Sequence, residues 1–232
     1  MNAFKLVSLI TIFSFFVKIL VAQDVSMEPE KIYGVDPEIY NGVIYDFFLL
    51  PETKGNQYFT GPAFMDGDVV IKGILYHHLK INYDIFNQQL LLKSENSHYS
   101  GVIIALSQGW LESFTFGNAR FELVRFPDST RKICEVIGQG RLRMLYCWYK
   151  EQKIDYDRTS PFYVFSKPKK QAFLQINESI RPCSSNKSFV ACFEQKDQAA
   201  LKEYLKSNKF NFRKTSHDKL LGLISFCNTL VQ

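Results

Sequence analysis

Apolar and polar positions alternate over most of the chain with the two-residue period of β-strands. In residues 79–86, for example, Leu79, Ile81 and Tyr83 fall on one side, while the polar residues between them fall on the other. Turn residues, above all Gly and Asn, separate these runs at short intervals. The pattern predicts an antiparallel meander over residues 39–182, folded as a curved sheet or barrel-like domain. The predicted strands cover residues 42–50, 68–76, 79–86, 90–93, 102–106, 111–116, 121–126, 133–137, 142–149, 162–166 and 172–176.

After Cys183 the hydrophobic period becomes that of a helix. A short helical turn is predicted at 189–193 and an amphipathic helix at 197–208. Ser216 has the character of an N-cap for a final helix that carries several leucines. Residues 183–232 are therefore predicted to form two or three helices that pack on the β domain and cover an open edge or a barrel end.

The first 22 residues have the pattern of a signal peptide. Lys5 precedes an apolar run, 6–21, which only Lys18 and a few hydroxyl side chains interrupt. Ala22 is suited to the position before a cleavage site, and an uncleaved membrane anchor is the alternative. Residues 23–38 are polar with two prolines and are predicted to be a loose lead-in. We therefore expect export to the periplasm or the extracellular space.

Charge and composition narrow the class of partner. The formal net charge of +5 falls by two units without Lys5 and Lys18, which is too mild to predict nucleic-acid binding. No Cys follows the apolar run, so a bacterial lipid anchor is not expected. The lysines concentrate late in the chain, which leaves peripheral contact with an anionic envelope surface open, although solvated helix faces explain them more simply.

The five cysteines leave at least one thiol without a partner inside the chain. Cys134 and Cys147 flank a glycine-rich turn, and a four-residue loop over 139–142 would place them opposite each other in a hairpin. Cys183 and Cys192 bracket a short polar loop that a disulfide could close. Either pair is compatible with an oxidising compartment, and buried free thiols are the alternative for both.

The histidines offer only a weak case for a metal site. His77 and His78 are adjacent, so in a regular strand they point to opposite faces and cannot bind one ion together. One of them could join His98 or Glu95 from a neighbouring strand. A solvent-exposed hairpin end is the simpler interpretation, and no metal or cofactor is predicted.

Asp155 and Asp157 alternate on what could be one strand edge, a spacing that could serve paired-carboxylate chemistry. Lys153 and Arg158 flank them, so a charged loop is the preferred interpretation. The chain has no Gly-x-Ser-x-Gly motif for a serine nucleophile. No catalytic residue is therefore assigned.

Tyr146, Trp148 and Tyr149 form a dense aromatic group. In a strand, Tyr146 and Trp148 share one face, where they could stack on sugar rings or pack in the core. Core packing is the preferred interpretation.

Several of these stretches together resemble uncharacterised secreted proteins of Bacteroidota. The resemblance rests on Gly55-Asn-Gln-Tyr-Phe59, on Gly67-Asp-Val-Val70, and on the strand–turn–strand run 79–92. It continues in Phe114-Thr-Phe-Gly-Asn-Ala-Arg-Phe121, in the hairpin 135–146, and in the two final helices with their alternating connector. The resemblance covers most of residues 23–232. It implies a secreted protein, and it brings no assigned activity and no catalytic residues.

Three functional hypotheses follow from these observations. The first is an exported, non-catalytic envelope protein that binds another envelope protein or a glycan, through exposed aromatics such as Trp110 or Trp148. The alternative is a hydrolase acting on envelope polymers or glycans, which requires a pocket that joins at least two of His77, His78, His98, Asp155 and Asp157. The third is an assembly factor for other exported proteins. The oligomeric state stays open.

Overall fold

The structure is a computed structural model that describes residues 42–94, 101–157, 160–212 and 214–230. The protein is mainly β, with an antiparallel sheet followed by three helices, which confirms the predicted fold class. The predicted signal peptide, 1–22, and the lead-in, 23–38, lie outside the described residues.

Thirteen strands and three helices make up the described part of the chain. The strands are β1 (Gly42–Ile44), β2 (Met65–Ile71), β3 (Ile74–Asp84), β4 (Gln89–Lys93), β5 (Ile103–Leu106), β6 (Leu111–Phe116), β7 (Ala119–Arg125), β8 (Arg131–Ile137), β9 (Leu142–Tyr149), β10 (Gln152–Asp157), β11 (Ser160–Phe165), β12 (Lys169–Ile176) and β13 (Ser179–Pro182). The helices are α1 (Asn186–Val190), α2 (Gln195–Ser207) and α3 (His217–Leu230).

Eleven strands form one sheet in the order β1-β5-β4-β3-β2-β6-β7-β8-β9-β12-β13. Strand β2 pairs with β3 on one side and with β6 on the other. The sheet therefore extends from β2 in both directions, through β3 to β5 on one side and through β6 to β9 on the other. The sheet is not closed, so β1 and β13 are its edges. Between β9 and β12 the chain leaves the sheet and forms the separate two-stranded hairpin of β10 and β11.

The predicted strands agree with the structure over much of the chain and differ at several places. The predicted strand 42–50 contains only β1, and its second half is irregular. Asp155 and Asp157 belong to strand β10, so the prediction of a charged loop is wrong. Residues 179–182 form β13, which was not predicted. The predicted strand 68–76 is divided between β2 and β3, because Gly73 lies in the turn between them with φ +77°.

Two large apolar clusters make up most of the core. The first lies within β2 to β8 and contains Tyr83, Phe114 and Phe121, whose rings pack on one another at centroid distances of 4.9–5.5 Å. The second lies between β9, β12 and the helices. Trp148 packs against both clusters and therefore joins the two halves of the core.

The helices pack against the sheet in one core cluster, with α3 lying against β8 and β9. Helix α2 buries Leu201 and Leu205, and helix α3 buries Leu223 and Ile224, among others. The predicted helices at 197–208 and after Ser216 are therefore confirmed, and each buries an apolar stripe. Asn228 fixes α3 to the β8–β9 turn, because its Oδ1 accepts from the Leu142 N–H at 3.1 Å and its Nδ2 donates to the carbonyls of Gln139 and Leu142.

Cys134 and Cys147 form a disulfide across β8 and β9. The register pairs Glu135 with Tyr146 and Val136 with Leu145, so the next pair outward is the two cysteines. Their Cα atoms are 4.2 Å apart, close to the spacing of about 4.5 Å between directly opposed residues of a non-hydrogen-bonded pair. This register is the one that the four-residue loop over 139–142 requires.

The other three cysteines, Cys183, Cys192 and Cys227, are free thiols. Of the alternatives left open for Cys183 and Cys192, the structure therefore has the free thiols rather than the disulfide. Burial raises the pKa of the Cys183 and Cys227 thiols to about 12. Within the described ranges no helix has both the length and the apolar character to span a membrane.

Candidate binding surface

The two histidines lie in a β-bulge, where the regular alternation of a strand is broken. Gly67 pairs with Leu79 and Val69 pairs with Tyr76, so His77 and His78 together face the single residue Asp68. The bulge brings the two imidazole centroids to 6.1 Å, and His77 Nδ1 lies 3.3 Å from the Asp68 carboxylate. The expectation that the two rings point to opposite faces of a regular strand therefore does not apply here.

This histidine cluster does not extend to a metal site. Among the described residues, no group of three or more His, Cys, Asp or Glu side chains is arranged to hold a metal ion. His98 and Glu95 lie outside the described residues.

The carboxylates of the hydrolase hypothesis lie on a different part of the fold. Asp155 and Asp157 share one face of β10 in the separate hairpin, and both are exposed. The histidines belong to β3 in the large sheet. The two carboxylates and the two histidines thus belong to different sheets, and none of the four lines the cavities found at β8–β9, at β12–β13 and among the helices, whereas the hydrolase hypothesis requires a pocket that joins at least two of its five residues.

The aromatic residues singled out in the sequence are mostly core residues. Tyr146 is 6% exposed, which confirms the interpretation of core packing, and burial raises the pKa of its hydroxyl to about 12. Trp148 is half-buried and donates its indole N–H to Glu135 Oε2 at 2.8 Å. Trp110 is also half-buried, and the Lys72 ammonium lies 3.3 Å from its ring centroid. These tryptophans do not form an exposed binding face.

Asp84 is the most deeply buried charged group of the described residues and is fully satisfied. Its Oδ2 accepts from the Tyr45 hydroxyl at 2.6 Å and from Asn87 Nδ2 at 2.8 Å, while Oδ1 accepts from the backbone N–H groups of Phe86 and Asn87 at 2.9 Å. Burial, and then the hydrogen bond to Asp84, raises the pKa of Tyr45. Because its acceptor positions are occupied, this carboxylate stabilises the fold rather than offering a reactive group.

Lys150, directly after β9, adds polar contacts to the same region as Asp84. Its ammonium donates to the carbonyls of Asn56 and Tyr58, both at 2.7 Å. Burial lowers the pKa of Lys150, and the charge of Asp84 opposes this shift. The network therefore holds the irregular segment 45–58 against the end of β3.

Exposed apolar side chains concentrate on this same segment and on the neighbouring hairpin. Of the ten exposed large hydrophobic side chains among the described residues, seven lie in residues 43–50 and in β10. We call these seven side chains the apolar patch; they are Val43, Ile44, Phe48, Leu49, Leu50, Ile154 and Tyr156. Phe48 is 75% exposed and Tyr156 is 67% exposed. A concentration of this kind is typical of an interaction surface.

Aromatic packing and backbone bonds connect the two parts of the apolar patch. The Phe47 ring lies 6.0 Å from Phe86, which in turn lies 5.2 Å from Phe165 in β11. The Lys54 N–H donates to the Tyr163 carbonyl at 2.7 Å, and the Phe165 N–H donates to the Lys54 carbonyl at 3.0 Å. Lys54, a few residues after the 43–50 part of the patch, is thus paired with the β10–β11 hairpin, which carries Ile154 and Tyr156.

Strand edges border the apolar patch. Among the described strands, β1 pairs only with β5, and β10 pairs only with β11. An exposed edge offers backbone donors and acceptors to an incoming strand. The patch therefore combines apolar contact area with sites for main-chain hydrogen bonds.

The sequence did not identify this surface. Trp110 and Trp148, which the sequence suggested as exposed aromatics for binding, both pack against the core. The signal that could have been used is the run Phe47-Phe48-Leu49-Leu50, which is apolar at consecutive positions. A regular one-sided strand cannot bury both of its faces.

No known family model, no curated protein and no solved structure matches this chain.

Proposed function

We propose that this protein is an exported, non-catalytic interaction domain of the cell envelope, and that it binds another envelope protein through the apolar patch. The observation that carries the proposal is the concentration of exposed apolar side chains in residues 43–50 and β10. The resemblance to secreted proteins of Bacteroidota agrees with this assignment.

A protein partner fits the chemistry of the patch better than a glycan does. Five of its seven side chains are aliphatic, and aliphatic groups offer no hydrogen-bond partners to sugar hydroxyls. A protein can bury its own apolar side chains there and add a strand to the edge of β1 or β10.

Export is supported by two independent features. The N-terminal 22 residues have the pattern of a signal peptide. The Cys134–Cys147 disulfide is a bond that persists in oxidising compartments and is rare in the cytosol.

The partner can be tested by site-specific photo-cross-linking in the native host. A photoreactive phenylalanine analogue is placed at Phe48, at Tyr156 and, as the matched control, at Leu221, which is 38% exposed on α3. We expect one specific protein adduct from positions 48 and 156, and none from 221. The adduct is identified by mass spectrometry, and the purified partner is then titrated with the protein.

An Ile154→Lys variant supplies the decisive comparison in this titration. Ile154 is 55% exposed, so a lysine is accommodated without unfolding. We expect at least tenfold weaker binding of the purified partner to this variant and unchanged binding to Leu221→Lys. Equal binding by all three proteins, or an adduct only at position 221, would contradict the proposed surface.

Export is tested separately by fractionation of the native host, followed by alkylation with and without reductant. We expect the protein in the periplasm, the medium or the salt-washed envelope, with Cys134 and Cys147 protected from alkylation until reduction. A cytoplasmic protein with both thiols reduced would contradict export.

A further inference from the structure

A second surface, formed by residues that the apolar patch does not include, has the character of a ligand groove. It lies between α1, α2 and the connector that follows α2, and encloses about 670 Å³. This volume falls within the range of about 300–1,000 Å³ that is usual for small-molecule sites. Its floor is apolar and is formed by Val190, Ala191, Leu205 and Phe210.

Four lysines surround this apolar floor: Lys187, Lys202, Lys206 and Lys209. All four are exposed, no acidic residue lines the groove, and the ion pairs between described residues include none of the four. Glu194, just before α2, pairs instead with Lys196 at 3.1 Å. The groove therefore carries a positive charge that nearby carboxylates do not compensate.

The spacing of these residues along α2 explains why they meet. Gln198, Lys202, Leu205 and Lys206 follow one another at intervals of three or four residues, or stand side by side, so they share one face of the helix. Lys209 continues the same face beyond the last turn. The acidic Asp197 and Glu203 of α2 do not line the groove.

Each of the two amide side chains in the groove donates one hydrogen bond to the protein's own backbone. Asn186 Nδ2 donates to the Phe210 carbonyl at 2.8 Å, and Gln198 Nε2 donates to the Phe193 carbonyl at 3.0 Å. These bonds tie the connector to α1 and hold α2 against the end of α1, so the walls are preformed. The main features that the groove offers a ligand are apolar contact on the floor and positive charge at the rim.

We propose that this groove binds a single-chain anionic amphiphile, such as a long-chain carboxylate. The hydrocarbon chain lies on the floor and along the aliphatic stems of the lysines, and the carboxylate lies among their ammonium groups. An extended peptide fits less well, because its backbone N–H and C=O groups would find few partners there. This inference does not rest on the proposed interaction function, since it concerns other residues and another class of ligand.

The test is a calorimetric titration of the full-length protein with saturated carboxylates of eight, ten and twelve carbons, below the concentrations at which they form micelles. We expect saturable binding of one molecule per protein, tightening with chain length by up to about fourfold per added methylene. Dodecanol, which has the longest chain but no charge, is expected to bind at least tenfold more weakly than the twelve-carbon carboxylate.

Two variants locate the site, and a third is the control. Lys202→Gln/Lys206→Gln removes two rim charges, and Ala191→Trp fills the floor at an exposed position. Both are expected to weaken binding of the twelve-carbon carboxylate at least tenfold. Lys214→Gln/Lys219→Gln makes the same change of charge outside the groove and should leave binding unchanged.

Equal losses in the two double-lysine variants would show a general charge effect and would overturn the site. Dodecanol binding as tightly as the carboxylate would overturn the role of the lysines. Binding of an acidic amphipathic peptide in the groove, without any binding of the carboxylates, would overturn the class of ligand. Circular dichroism of each variant shows that a loss of binding is not a loss of fold.

Discussion

At the scale of single residues, the structure departs from the sequence pattern most clearly at Asp84. The alternation in β3 correctly predicted that Ile81 and Tyr83 are buried, but it placed Asn82 and Asp84 on the opposite, polar side. Both are 0% exposed. The reason is that the irregular segment 45–61 folds over them: Asn82 Nδ2 donates to the Gly61 carbonyl, and Tyr45 donates to Asp84. A segment without periodicity leaves no sign of this cover in the sequence.

Replacing Asp84 by Asn should therefore destabilise the protein more than an exposed charge change does. The amide removes the charge and one of the two acceptor oxygens, so we expect a loss of about 2–3 kcal/mol in the free energy of unfolding. Urea denaturation measures it. Asp66→Asn is the control, because Asp66 is an exposed partner of Lys80 and should cost less than about 1 kcal/mol. If Asp84→Asn lowered the free energy of unfolding no more than Asp66→Asn does, a structural role of the Asp84 network would be contradicted.

The buried thiols predict a dependence of stability on pH. The pKa values of Cys183 and Cys227 rise from the ordinary 9.0 to about 12 through burial, so the folded state favours the protonated thiols. Their contribution is fully present below pH about 9 and is lost as the pH rises towards 12. We expect the free energy of unfolding to fall over this interval, and chemical denaturation at a series of pH values measures it.

Alkylation gives an independent check of the same thiols. At pH 8 the native protein should react slowly at the half-buried Cys192 and not at Cys183 or Cys227, because the thiolate is the reactive form. In Cys192→Ser no thiol should react before unfolding. Rapid native labelling of Cys183 would contradict its burial.

At the scale of elements, hairpins with glycine turns were predictable and the added strands were not. The turns at Gly73 and at 138–140 mark their hairpins because glycine readily takes positive φ. Strand β10 has charged residues on one face and exposed apolar residues on the other, which conceals the usual contrast of buried and polar positions. Strand β13 is too short and too exposed to leave a pattern.

The disulfide between β8 and β9 should contribute measurably to stability. It closes a loop with a sequence separation of 13, for which the chain-entropy model gives about 3 kcal/mol. We expect Cys134→Ser/Cys147→Ser to lose about 2–4 kcal/mol in urea denaturation. The same loss should appear when the natural protein is reduced. Addition of reductant to the double variant should then have no further effect.

Two glycines in the same turn separate backbone strain from contact with α3. Gly138 and Gly140 have nearly equal φ values, +91° and +92°. A Cβ at Gly138 would clash with Ile224, whereas one at Gly140 would approach only Asn228 Oδ1, at 3.3 Å. Gly138→Ala should therefore cost about 1–3 kcal/mol more than Gly140→Ala. Thermal denaturation of both variants measures the difference, and equal midpoints would mean that α3 does not pack tightly on this turn.

At the scale of the whole molecule, the helices and the sheet share one core. Leu223 of α3 is 0% exposed and belongs to the same cluster as Leu142 and Met144 of β9. We expect Leu223→Ala to cost about 2–5 kcal/mol. Its unfolding should remain one transition, seen at the same urea concentration by circular dichroism of the helices and by amide hydrogen exchange of β9. The exposed Leu221→Ala is the matched control.

The function depends on contacts at the scale of the whole molecule, so the sequence alone could say little about it. A meander with a C-terminal helical layer follows from periodicity, which most of the strands and the two longer helices repeat. The apolar patch and the groove between α1 and α2 each bring together residues that are far apart in the chain or on different elements. No local sequence pattern predicts such contacts. Residues 43–50 and β10, for example, are connected through Phe86 and Phe165 and through the backbone bonds of Lys54 to the hairpin.

The position of Trp148 between the two core clusters has a practical consequence. The chain has only two tryptophans, and the indole of Trp148 touches both halves of the core while bonded to Glu135. Its emission wavelength reports the polarity around that junction, so a red shift marks water entering between the halves. In a Trp110→Phe variant, Trp148 is the only remaining tryptophan of the sequence. Its fluorescence then reports directly whether the helices and the first half of the sheet stay packed together.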